Sequence, residues 1–205
     1  ALYIPDFYNK IIGHYEVPLN HPGGDRERAR LWRIVYRGKK ATAQLKQRAL
    51  PEDVGGLVRE LGSGNPTRRT LAQNELVDRV GASAIPALAK AVAKPTNAHQ
   101  HALALWTLHR FAKLDTPTLL TAIKSDSPVV RTHAMRVADA TPAWSRELSA
   151  AIRAALSDAD AITRRVAAEA LGSHPSTENF RPLLELLRQV PAEDDHLAHS
   201  VRIAL

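Results

Sequence analysis

The chain has 205 residues, 44% of them hydrophobic, 24% charged and only 5% aromatic, a composition that excludes wholesale disorder and, being rich in Ala and Leu, favours helix. It contains no cysteine, which excludes disulfides, thiolate zinc or iron–sulfur ligation and c-type haem attachment within this chain, and no run nears the ~20 apolar residues that span a bilayer. The net charge is +7, but nine Lys and Arg fall between Arg26 and Arg48 against one acid, Glu27. Most of the excess therefore marks one junction, which fits a solvated or protein-facing patch better than nucleic-acid binding.

In chain order, LYIPDF (residues 2–7) and LWRIVY (31–36) have strand character, with aromatic and β-branched residues in short runs. About 25 residues separate them, too many for a tight hairpin, and a loop of that length is usually functional or anchored elsewhere. A basic connector, RGKKATAQLKQRAL, covers 37–50. From Pro51 a helical period repeats between breaks at Gly, Pro, Asn and Asp. The expected antiparallel pairs are 51–62 with 66–81, 84–94 with 96–113, 116–125 with 127–140, 143–157 with 159–173, and 176–190 with 194–205.

The second helices carry similar strings: AHQHALALW, VRTHAMRVA, TRRVAAEAL and LAHSVRIAL, which start 32, 33 and 34 residues apart. Aligned on those starts, Ala102, Ala134, Ala167 and Val201 share one position, and Leu105, Val137, Ala170 and Ala204 another. Small apolar residues on one face let neighbouring pairs stack closely. Ala102, Leu105, Ala134, Val137, Ala167, Ala170 and Leu171 are the expected packing residues. Two of the preceding turns, SDSPVVR and SDADAITR, place Ser and Asp where a helix start needs acceptors, whereas GNPTRRT reads as a turn with Thr67 near a helix start.

This layout resembles HEAT repeats over about 150 residues, with Asp126, Val130 and Arg131 in one repeat and Arg164, Ala170, Leu171 and Gly172 in the next as the nearest matches. The fold expected is mainly α, a superhelix of about five HEAT-like pairs (51–205) preceded by a short β-containing segment (1–36). The pair around TRRTLAQNELV fits loosely and reads as a cap. The absence of a cap after Leu205 suggests that the superhelix continues in a parent protein, and the start ALYIPD, without Met, suits a fragment or processed chain.

The first segment, DFYNKIIGHYEVPLNHPGGDRERARLWRIVY, resembles the closing blade segment of PQQ- and haem-associated membrane-bound dehydrogenases of Planctomycetes and Verrucomicrobia. The residues that carry the resemblance are Asp6, Tyr8, Asn9, Ile12, Gly13, His14, His21, Pro22, Asp25, Arg26, Arg30, Trp32, Arg33 and Ile34, and LAHSVRIAL adds to it. Phe7 stands where that family usually has Trp, and Ala29 or Arg30 where it has Gly. The resemblance implies a β-propeller before the helices, an exported or periplasmic location, and a preceding propeller and a cytochrome domain or other protein as partners. Nearly all of the propeller and any haem motif lie outside this chain, so no cofactor is expected in the chain itself.

On this reading Asp6, Asn9, His14, Trp32 and Arg33 are the expected docking residues. Asp6, Asn9 and His14 are also candidates for a cofactor or metal site at a propeller mouth, against the simpler role of fixing loop backbone. His196 and His199 lie three apart beside Asp194 and Asp195, a spacing that permits a metal site on one helical face but more often marks solvated side chains. His99 and His101, two apart, point to different sides of a helix. Trp106 and Trp144 are expected as core anchors with their indole N–H groups satisfied at the edge. A second resemblance, to HEAT-like alkylpurine DNA glycosylases, requires a catalytic acid in a basic cleft, for which Asp115 and Asp139 are the available acids. The expected function is a non-catalytic scaffold within a propeller-type dehydrogenase, with an independent HEAT-like binding module as the alternative and DNA glycosylase chemistry behind both.

Overall fold

In the computed structural model the described residues are 2–7, 18, 20–24, 29–35 and 49–205. The chain forms two compact units, Ala1–Arg48 and Ala49–Leu205.

In the first unit, β1 (Leu2–Phe7) pairs antiparallel with β2 (Ala29–Ile34). The register sets Leu2 opposite Ile34, Ile4 opposite Trp32 and Asp6 opposite Arg30. The second strand lies two residues earlier than LWRIVY suggests, because the six residues of β1 find their last partner, Ile34, opposite Leu2. Tyr36, most of the connector, Asn9 and His14 lie outside the described residues.

The second unit is an α-helical repeat. Helices this short are marginal alone, so each depends on an apolar face buried against its neighbours. The first helices of the pairs are α1 (Val54–Glu60), α3 (Ile85–Ala93), α5 (Thr116–Ile123), α7 (Arg146–Ala154) and α9 (Thr177–Gln189). The second helices are α2 (Pro66–Asn74), α4 (Ala98–Arg110), α6 (Pro128–Asp139), α8 (Ala161–Ser173) and α10 (Asp195–Ala204). Most starts are set by short polar side chains: Asp53, Asn65, Asn97, Asp115, Ser145, Asp160, Ser176 and Asp194 each accept a backbone N–H of the first turn.

The stretch expected as one helix over 66–81 divides. After α2 the backbone widens into a π-helical segment, Glu75–Val80, then a 3-10 turn, Gly81–Ala84, that runs directly into α3. Ala72, Leu76 and Val80 advance by four residues each, more than an α-turn holds, and the wider turn returns Val80 to the core side. Gly81, at φ 66°, supplies the backbone state that ends the run.

The second helices stack in order, α4 on α6, α6 on α8 and α8 on α10, and form the more closely packed layer. At the last step Gly172 lies so near the Ala204 backbone that a Cβ there would stand 2.9 Å from its Cα. One core, around Leu57, Leu61, Leu76 and Leu88, serves α1 to α4, and a larger one, around Leu105, Met135, Ile152, Leu171 and Leu197, serves α4 to α10.

Hydrogen bonds tie successive repeats. The guanidinium of Arg131 meets Asp158 through two bonds of 2.7 and 2.8 Å, and also donates to the carbonyls of Ser125 and Asp126. Arg69 and Arg164 hold their own preceding turns in the same way, through the carbonyls of Ser63 and Asp158. Buried Gln100 donates to the Val58 carbonyl at 2.9 Å, and the hydroxyls of Thr132 and Thr163 meet at 3.1 Å.

The structure buries Ala102, Leu105, Ala134, Val137, Ala167, Ala170 and Leu171. It corrects their alignment, however. Asn97 caps α4 and Ser127 precedes α6, 30 residues apart and not 32. Ala134 is thus equivalent to Ala104, and Val137 to Thr107; Ala102 is equivalent to Thr132. VRTHAMRVA begins two residues inside its helix because Pro128 occupies the first turn, where a missing N–H is tolerated.

Candidate functional site

Counting from the residue before each helix exposes a periodic outward face on the second-helix layer. The second helical position is Thr67, His99, Val129, Ile162 and His196, all exposed. The ninth is Asn74, Trp106, Arg136, Glu169 and Ile203, all exposed except the half-buried Trp106. Seven residues make about two turns, so both rows face the same way.

The middle of this face, on α4 and α6, is chemically distinct. Trp106 Nε1 donates to Nδ1 of His133 at 3.1 Å, and the ring of His109 meets Trp106 edge-on at 6.0 Å between centroids. An Nδ1 that accepts leaves the proton of neutral His133 on Nε2, so the indole fixes the tautomer. Burial, followed by the positive neighbours Arg136 and His99, holds the His133 pKa below the usual imidazole value. Trp106 and Val129 add apolar surface to this face. Trp106 thus anchors the core along one edge and shapes an open surface along the other.

Trp144 is held differently. Its indole donates to the Ala138 carbonyl at 2.8 Å and its ring stacks on His174 at 3.9 Å between centroids. The Nε2 of His174 reaches the Asp139 carbonyl at 2.9 Å.

In the ribbon, Trp32 Nε1 donates to Asp6 at 3.0 Å, and the Arg30 guanidinium lies over the Trp32 ring. Arg33 stands opposite Tyr3. These contacts place Asp6 and Trp32 together; Asn9 and His14 lie outside the described residues.

His196 and His199 are exposed on α10, and among the described residues no cluster of three or more His, Asp or Glu could hold a metal ion. Asp194 beside them caps the helix through the Leu197 N–H. His99 is exposed while His101 is half-buried and, through that burial, has a lowered pKa. His101 lines a crevice of about 260 Å³ with Val92, Leu108, Lys113, Asp115 and Thr118. Asp115 caps α5, accepting the Thr118 N–H at 2.7 Å, and hydrogen bonding from Thr118 holds its carboxyl below the usual range. One carboxylate oxygen of Asp139, Oδ1, is buried without a hydrogen-bond partner. The two acids lie at different sites.

The fold and this face define an α-helical repeat protein. No protein-family model matches the chain, and no curated protein matches it. Among solved structures the chain is similar to an engineered protein in crystal form, 18% identical, covering 75% of this chain and 78% of that one at a TM-score of 0.43. That likeness is too loose to carry an argument about function. No helix among the described residues is long and apolar enough to cross a membrane.

Proposed function

We propose that this chain is a non-catalytic helical-repeat scaffold that holds a protein partner on the outward face of its second helices. The observation that supports this reading is the double row at the second and ninth helical positions, a continuous face built by repetition and carrying both apolar and charged side chains. The charge distribution agrees with a protein partner. Residues 49–205 hold 18 Lys and Arg against 17 Asp and Glu, too even a balance for a phosphate-tracking surface. The glycosylase alternative also loses a candidate acid, because Asp115 is engaged as a helix cap.

Within this reading, the likeness of the first segment to propeller dehydrogenases suggests the setting: the ribbon, with Asp6, Trp32 and Arg33, docks against a propeller, and the repeat positions it for electron transfer. The test is the intact mass and visible absorbance of the natural protein purified from its source. A much larger, haem-containing polypeptide supports the dehydrogenase setting. A colourless chain near 22.5 kDa overturns that setting and leaves an independent binding module, a reading favoured by the helical unit's own two cores. A natural protein that purifies without any bound or covalently attached partner protein, and that cross-links to none in cell extract, would overturn the scaffold reading itself.

A further inference from the structure

Seven of the fourteen arginines of the helical unit are engaged by a carboxylate or, as Arg69 and Arg164 are, by a turn carbonyl. Arg68, Arg79, Arg131, Arg153 and Arg165 each meet a carboxylate. Arg136 is among the seven not so engaged: it is exposed at the ninth position of α6, with no ion pair among the described residues, and its charge acts on His133. One turn away, half-buried His133 has its Nδ1 occupied by the Trp106 indole, which leaves Nε2–H as its donor. His99 adds a second exposed imidazole close enough to influence His133. Donors therefore gather around the half-exposed apolar surface of Trp106 and Val129.

A guanidinium is weakly hydrated and presents a planar fork that matches a carboxylate. Trp and Arg are also the side chains most enriched where interfaces concentrate their energy. We infer that the Trp106, His133 and Arg136 surface receives an acidic-apolar segment of a partner protein, an Asp or Glu carboxylate on Arg136 and the His133 Nε2–H, and an adjacent apolar side chain on Trp106 and Val129. The argument for this occupant is charge complementarity: the surface supplies donors and positive charge, and its missing counterpart is an acceptor with negative charge. The inference rests on the scaffold reading above and names the chemistry of its partner.

The test is fluorescence anisotropy of the purified chain with a short fluorescein-labelled peptide of repeating Glu-Leu-Ser, beside a control peptide with Lys in place of Glu. The Glu peptide binds, its affinity falls as salt is raised, and the Lys peptide binds at least about tenfold more weakly. Arg136→Glu, an exposed change whose folding is checked by circular dichroism, weakens the Glu peptide by about tenfold or more, and Arg136→Lys by less because the fork is lost but the charge remains. Arg146→Glu, exposed at the start of α7 in the other layer, leaves binding unchanged. No binding of the Glu peptide, equal binding of both peptides, or equal losses from the changes at Arg136 and Arg146 would each overturn the inference. None of these results would touch the scaffold reading, which is decided by the natural protein's partners.

Discussion

Gly172→Ala separates two arguments that predict opposite signs. Gly172 lies within α8, and by helix propensity alone an alanine there should stabilise the protein by about 1 kcal/mol. The packing argues otherwise. The added methyl would sit 2.9 Å from the Ala204 Cα and 3.1 Å from its Cβ, against backbone that cannot rotate away. Making room requires α10 to move off α8, and overpacking of this kind costs about 1–3 kcal/mol. The larger effect wins, so the expected net change is a loss of about 1 kcal/mol. Urea denaturation followed by far-ultraviolet circular dichroism measures it, and hydrogen exchange should show α10 amides losing protection first. Gly64→Ala is the comparison, because nothing lies within 4 Å of its would-be Cβ and the change should be neutral or slightly stabilising. A Gly172→Ala protein as stable as the parent, or more so, would refute the close-approach argument.

The ion pair between Arg131 and Asp158 should make stability acid-sensitive. Burial acts to raise the Asp158 pKa, but hydrogen bonds and charge from Arg131 and its neighbours bring it below the usual range. Its contribution is then complete above about pH 4, the ordinary carboxyl value, and is lost as pH falls through the lower folded value. Denaturation of the parent and Asp158→Asn should differ most near neutrality and converge below pH 4; a constant gap would exclude the carboxylate as the source. Trp144→Phe should lose about 1 kcal/mol by removing the indole hydrogen bond to the Ala138 carbonyl, which keeps the Thr141 N–H as a donor, and Trp144→Ala about 3 kcal/mol through the added cavity. Equal losses from the two, read by thermal denaturation, would mean that the indole hydrogen bond and not the ring's volume dominates.

Helix positions were legible in the sequence because their signals are local. Asn, Asp and Ser before an apolar period start a helix wherever they occur, and Pro fits the first turn regardless of what lies across the core. The expected pairs from residue 84 onward therefore lie within a few residues of the observed ones. The division of 66–81 was not legible, since the π turn answers to the core that Leu76 and Val80 enter, and their spacing alone does not show which turn will bend.

Register and surface belonged to the tertiary structure. The similarity of AHQHALALW and VRTHAMRVA suggested a 32-residue step, but small apolar residues are too alike to fix an offset of two, and packing of α4 on α6 chose 30. The same choice brought Trp106 beside His133, a contact across 27 residues that no local signal carries. Sequence thus determined where each helix begins and which residues prefer burial, both properties of neighbours along the chain. Only the stacking of pairs decided which histidine is locked by an indole and which arginines meet a carboxylate, because those depend on neighbours in space.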